Sequence, residues 1–141
     1  MSDASDSNFY KNFFAVLAGV FSAIGAGFII KIMVEKILHY DPFPALTANE
    51  NENNVTILLI MAVWLFVSSL IGGLICAMIA GRNDLSHIII SSLVVLALYF
   101  LMGGTEIFKE KNLASWVVLL TIPAGYFIGE WIGNRNIKSK S

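Results

Sequence analysis

Residues 64–82 read WLFVSSLIGGLICAMIAGR, and this stretch decides the predicted fold. Ser69, Gly73, Ala77 and Gly81 stand at every fourth position within it. In an α-helix this spacing places four small residues on one face, where the backbone of a neighbouring helix can approach closely. We therefore predict a helix whose small-residue face packs against a second helix.

The same pattern returns near the C-terminus. Trp116 precedes Thr121, Gly125, Gly129 and Gly133 at matching spacing. We expect these two helices to present their small-residue faces to the interior of the molecule. The recurrence also leaves open an arrangement of two loosely related helix hairpins.

A third small-residue pattern lies in the first apolar run, at residues 12–36. Ala15, Gly19, Ala23 and Gly27 again repeat at every fourth position. We expect this helix to pack closely against a partner over most of its length.

The composition is that of a membrane protein. Of 141 residues, 57% are hydrophobic and only 13% are charged, whereas charged residues make up about a quarter of soluble domains. The net charge of −1 and the lack of a basic run argue against nucleic-acid binding. The lone cysteine, Cys76, excludes an intrachain disulfide, and we expect it to be a small buried packing residue.

The apolar runs predict an all-α membrane protein, an antiparallel bundle of four transmembrane helices forming a single domain. About 20 apolar residues suffice to cross a bilayer. The predicted spans are 12–36, 55–81, 85–104 and 113–133, with polar tails at 1–11 and 134–141.

Local signals mark the boundaries and one bend. Pro42 and Pro44 end the first helix. Thr47 with Glu50 forms a capping-box pattern from which the second helix would begin before its apolar part, an asparagine cap at 53 or 54 being the alternative. Pro123 predicts a bend in the fourth helix.

The distribution of basic residues gives the predicted orientation. Arg82 and the tail at 134–141 carry unmixed positive charge, whereas Lys31 and Lys36 alternate with Glu35. Because positive loops favour the cytoplasmic side, we predict that both termini are cytoplasmic.

Several of these features resemble those of small bacterial membrane proteins with four spans. The resemblance rests on Glu35, His39 and Tyr40 before a proline turn, on Ala80 to Arg82, and on Pro123 before a glycine-rich helix end. The chain carries Asp41 between Tyr40 and Pro42, which departs from this pattern. The resemblance implies a multi-pass protein of the bacterial inner membrane, and it brings no established activity.

Two carboxylates are candidate functional residues. Glu130 stands within the fourth apolar run, and ionisable groups at membrane depth usually face protein and have a partner. We predict an ion pair with Arg82, with Arg135 or Lys138 as substitutes, the alternative being a gate or ion-binding role. Glu35 and His39 lie four residues apart and could bind a cation or relay protons. A solvated collar with the neighbouring lysines is the favoured interpretation.

No enzyme motif is present, and His87 is expected at the water interface rather than in a site. We predict no catalytic residue, no cofactor and no metal ligand set. The expected partners are the lipid bilayer and a membrane protein or further copies of the chain. The predicted function is therefore a structural or accessory membrane component, and the alternative is a small transporter or channel acting as a homo-oligomer.

Overall fold

The computed structural model describes residues 3–38, 55–81, 85–101 and 113–138. Within these residues the chain is helical and contains no β-strand, which confirms the all-α prediction for this part. The helices are α1 (Asp3–Leu38), α2 (Val55–Ala80), α3 (Leu85–Tyr99) and α4 (Leu113–Lys138). The predicted turn at Pro42 and Pro44 and the helix starts before Val55 lie outside the described residues.

Two of the described helices are long and apolar enough to cross a membrane. These segments are Phe9–Ile37, with 29 residues, and Leu59–Ala80, with 22 residues. Both exceed the roughly 20 residues that a bilayer requires. Helix α3 is shorter, with 15 residues, and ends in a π-helical turn at 100–101.

Helices α1 and α2 are antiparallel. Gly19 of α1 lies beside Cys76, whereas Gly27, further along α1, contacts Trp64, which comes earlier in α2. The indole Nε1 of Trp64 donates a hydrogen bond of 2.7 Å to the carbonyl oxygen of Gly27. This bond fixes the two helices at the end where α1 finishes and α2 begins.

Helices α2 and α4 run parallel and form the most extensive helix contact in the described part of the chain. A Cβ atom at Gly73 would overlap the backbone of Tyr126, and one at Gly129 would overlap the carbonyl oxygen of Leu70. The backbones therefore touch where the sequence places small residues. The faces predicted for the second and fourth helices do meet each other.

A second small-residue face of α2 packs against α1. A Cβ atom at Gly72 would lie 2.7 Å from the carbonyl oxygen of Gly19 and 2.8 Å from the Cβ of Ala23. Ala15 of α1 is fully buried and clusters with Cys76 and Ala80. Helix α2 is thus the central element, with one close contact on each of two adjacent faces.

Gly81 does not take part in the helix contact that its spacing predicted. The sequence places it on the packing face of α2, but a Cβ atom there would meet nothing within 4 Å. Its φ of 64° is a left-handed conformation that glycine adopts without strain, and its N–H donates a 3.0 Å hydrogen bond to the carbonyl oxygen of Ala77. Gly81 therefore terminates α2 instead of packing against α4.

The helix ends also differ from the predicted spans. Helix α1 already begins at Asp3, within the predicted tail at 1–11, and α4 continues to Lys138, into the tail at 134–141. Hydrophobicity locates the part of a helix that suits lipid, whereas the backbone hydrogen bonds can continue until a residue breaks them. Residues 3–11 contain neither proline nor glycine, so nothing interrupts the first turns of α1.

Large apolar side chains cover much of the outside of the molecule. Phe21 and Trp116 are 69% and 56% exposed, and many other large apolar residues are similarly exposed. The interior combines small and polar residues, such as Ser69, with large apolar ones, such as Ile122 and Tyr126. An apolar surface of this extent is not one that water favours.

Candidate functional site

The described residues include six polar side chains that are buried between the helices: Ser68, Ser69, His87, Ser91, Ser92 and Glu130. Two of them, His87 and Glu130, are ionisable. Ionisable groups in such an apolar setting are costly and usually serve a purpose, so these residues define the candidate site.

Glu130 is only 5% exposed. It lies next to Gly129, whose lack of a side chain lets α4 contact Leu70 and Leu74 of α2. The Nδ2 atom of Asn134, one helical turn later, donates a hydrogen bond of 3.3 Å to Oε1 of Glu130. The close approach of α4 to α2 therefore carries the carboxylate into the interior.

The predicted ion pair of Glu130 with Arg82 stays a prediction, because Arg82 lies outside the described residues. Arg135, the first substitute partner, has its guanidinium carbon 4.0 Å from the centre of the Trp131 ring. That arrangement is a cation–π contact on the exposed side of α4. Glu130 is enclosed by protein and does not face the outer surface.

A short hydrogen-bonded chain joins α2 to the first turns of α3. The hydroxyl of Ser91 donates a 2.7 Å hydrogen bond to the carbonyl oxygen of His87. Since this uses the single proton of that hydroxyl, the thiol of Cys76 is the donor in the 3.6 Å contact between its Sγ and Oγ of Ser91. Cys76 is fully buried, as expected for a packing residue.

His87 is 1% exposed, so its predicted place at the water interface is wrong. It lies in the first turn of α3, next to Ile88, which is fully buried. Both residues are on the part of α3 that turns toward the other helices, while Ile89 and Ile90 are exposed. The sequence suggested a position in contact with water, because His87 is ionisable and lies near the start of α3. In the structure, His87 lies on the face of α3 that packs against the other helices.

Tyr126 connects three helices. Its side chain leaves α4, passes Gly72 of α2, and donates a 3.1 Å hydrogen bond to the carbonyl oxygen of Gly19 in α1. A Cβ atom at Gly72 would come within 2.8 Å of the Tyr126 hydroxyl oxygen. The small-residue faces predicted from the sequence did not indicate this link.

The sequence did contain a signal for this link. Besides the predicted face, α2 carries a second row of small residues one position earlier, at Ser68, Gly72, Cys76 and Ala80. The adjacent glycines at 72 and 73 belong to different rows, so each row faces a different neighbour.

The second predicted pair lies at the opposite end of the bundle. Oε1 of Glu35 is 3.4 Å from Nζ of Lys31, and both side chains are about one-third exposed. This agrees with the solvated collar that the sequence favoured. His39 lies outside the described residues, and Glu35 is not brought near Glu130, because α1 ends where α4 begins.

Among the residues that the structure describes, no group of three His, Cys, Asp or Glu side chains could hold a metal ion. Comparison with protein-family models, curated proteins and solved structures finds no match for this chain. The fold and the buried residues therefore define the class: an all-helical protein with two candidate membrane-spanning helices in its described part.

Proposed function

We propose that the chain is an integral protein of the bacterial inner membrane, in which all four helices cross the bilayer as an antiparallel bundle. The observation that carries this proposal is the large number of exposed large apolar side chains, together with the burial of polar side chains such as Glu130 in the interior. Lipid is the environment in which such a surface is stable. Helix α4 has 26 residues, a length of about 39 Å at ~1.5 Å per residue, which is sufficient for a span.

Within the membrane, the chain acts as a structural or accessory component through a membrane-protein partner or through further copies of itself. Close backbone contacts of α2 with α1 and α4 support this function, because they fill the interior that a transport path would need. The exposed apolar surface of α1, including Phe14, Phe21 and Ile32, is then available to lipid or to another membrane helix.

The alternative is a small transporter or channel that functions as a homo-oligomer. The burial of His87 and Glu130 favours this alternative, since intramembrane ionisable groups often line ion or proton pathways. In that case Glu130 would contact a hydrated space that forms only in the oligomer or in a second conformation.

A flux measurement separates the two functions. The purified chain is reconstituted into liposomes, and proton and cation flux are compared with those of empty liposomes and of the Glu130→Gln variant. We expect no flux above the empty liposomes. Flux that disappears in Glu130→Gln would establish the alternative.

The orientation is tested by cysteine labelling. Because the thiol of Cys76 is fully buried, the introduced thiol of Lys140→Cys or Asn51→Cys is the one that reacts with a membrane-impermeant maleimide. We expect Lys140→Cys to react from the cytoplasmic side only, and Asn51→Cys from the outer side only. The reverse pattern would overturn the proposed topology.

A further inference from the structure

A cavity of about 260 Å³ lies where α1, α2 and α3 meet, at the end of the bundle where α1 finishes. Its walls include Gly27 and Phe28 from α1, Trp64 from α2, and Leu98 and Tyr99 from α3. Because Phe28 is also 56% exposed, the cavity opens to the outer surface of the molecule.

The cavity exists because the close packing of α1 on α2 ends at this level. An ideal Cβ at Gly27 would lie 3.7 Å from Trp64 and 3.8 Å from Ser68, which are ordinary contact distances, whereas Gly19 and Gly72 are in tight contact. The Trp64 indole, fixed by its bond to Gly27, holds the wall in place. The cavity is therefore a consequence of how α1 and α2 pack together.

The lining has the chemistry of an amphiphile site. It is almost entirely apolar, and Lys31 is the charged residue among the described residues of the lining, about two helical turns before the end of α1. Lys31 is paired with Glu35, and Lys36 leaves this part of α1 with two positive charges and one negative charge. A ligand that matches both parts has an apolar chain and an anionic head.

Tyr99 adds a polar group in the wall. Its hydroxyl is enclosed and has no hydrogen-bond partner among the described residues. Since α3 runs parallel to α1, Tyr99 lies at nearly the depth of Lys31. The ester carbonyl of a phospholipid, just below its phosphate, would supply the missing acceptor once the ring turns toward the cavity.

We propose that this cavity binds one acyl chain of an anionic phospholipid whose phosphate is held by Lys31. The volume of about 260 Å³ admits part of one acyl chain and excludes a second chain, the rest of the chain lying outside the cavity. The proposal rests on the membrane placement proposed above and adds a specific lipid contact to it.

The test uses the full chain purified from membranes in a neutral detergent. It is incubated with equimolar phosphatidylglycerol and phosphatidylcholine of the same chain length, and retained lipid is counted by native mass spectrometry. We expect one phosphatidylglycerol molecule to be retained in preference to phosphatidylcholine. Equal retention of the two lipids, or retention of detergent alone, would overturn the proposal.

Two matched pairs of variants locate the binding. Leu98→Trp fills the cavity and should abolish retention, whereas Leu93→Trp, an exposed position on the same helix, should leave it unchanged. Lys31→Gln should lower the preference for phosphatidylglycerol by about fivefold, the value of one lysine near an anionic lipid surface. Lys11→Gln, on the other end of α1, should have no effect. Equal effects within either pair would show non-specific surface association and overturn the site.

Different experimental results would contradict the lipid site and the membrane placement. Recovery of the chain in the soluble fraction after cell lysis would contradict the placement itself. Recovery in the membrane without a retained anionic lipid would contradict only the site. Val95→Phe, a smaller cavity-filling change, serves if thermal unfolding shows that Leu98→Trp does not fold, and retention of the lipid by folded Val95→Phe would then count against the site.

Discussion

The two ends of the bundle are packed by different residues. Toward the end of α2, Gly19, Gly72, Gly73 and Gly129 bring three helix backbones into contact. Toward the start of α2, Trp64 separates the helices and a cavity remains. Helix α2 thus holds α1 closely at one end and leaves space beside it at the other, while α4 stays close to α2 up to Phe66. The difference teaches that glycine and alanine set the distance between these helices.

The largest effect is expected from a bulky residue in the close contact. Gly73→Leu would place a side chain where the backbone of Tyr126 already lies, so we expect a loss of more than ~3 kcal/mol, the upper range for ordinary overpacking. Thermal unfolding in detergent measures it. Gly25→Leu is the control, because a Cβ at Gly25 meets nothing within 4 Å. Equal unfolding temperatures for the two variants would refute the contrast between packed and open positions.

A smaller effect is expected from the buried carboxylate. Glu130→Gln should cost about 1.5 to 3 kcal/mol if the group is charged and hydrogen-bonded in the interior. Glu35→Gln, at the exposed collar, should cost at most ~1 kcal/mol. Chemical denaturation of both variants gives the comparison.

The predicted partner of Glu130 is tested by a double-mutant cycle with Arg82→Gln. If the two residues are paired, the double variant should lose less stability than the two single losses added together. Additive losses would mean that Glu130 relies on other partners, such as Asn134.

The hydrogen bond from Tyr126 to Gly19 should contribute less to stability than the carboxylate of Glu130. Tyr126→Phe removes the donor to the carbonyl oxygen of Gly19 and should lower stability by about 1 kcal/mol. Tyr10→Phe is a matched control, since Tyr10 is 60% exposed. If Tyr126→Phe unfolds at the wild-type temperature, the bond does not help to hold α4 to α1.

The smallest expected effect is a gain in stability, not a loss. Gly27→Ala adds a Cβ at an ordinary contact distance of 3.7 Å from Trp64, so the higher helix propensity of alanine should raise stability by about 0.5 to 1 kcal/mol. Gly19→Ala should lower it, because its Cβ would lie 2.9 Å from that of Cys76. Unfolding temperatures that change in the same direction would show that the two ends are not packed differently.

Much of the fold could be predicted because residue spacing carries geometric information. The four-residue period of Ser69, Gly73 and Ala77 identifies the face of α2 that meets α4. Which neighbour contacts Gly72 could not be predicted in the same way, because two adjacent rows of small residues are equally suited to a close helix contact. Only the arrangement of all the helices assigns each row to a partner.

The candidate site was harder to predict because burial depends on helix rotation. Glu130 sits in an apolar run, and its burial could be expected from that position, but the inward direction of His87 depends on how α3 is turned. Gly81 illustrates a related error, since its four-residue spacing suggested packing while its backbone conformation gives it the role of a helix end. The ends of α1 and α4 escaped prediction because hydropathy does not mark where a helix stops.

The rate at which the buried thiol of Cys76 reacts reports how often the helices around it separate. A small neutral alkylating reagent cannot reach a sulfur that is fully enclosed between α1, α2 and α3, so each modified molecule records an occasion on which those helices moved apart. The rate of alkylation, followed by intact mass, therefore counts opening events without any added label. Slower alkylation in the presence of a lipid or a protein would show that it holds the helices together.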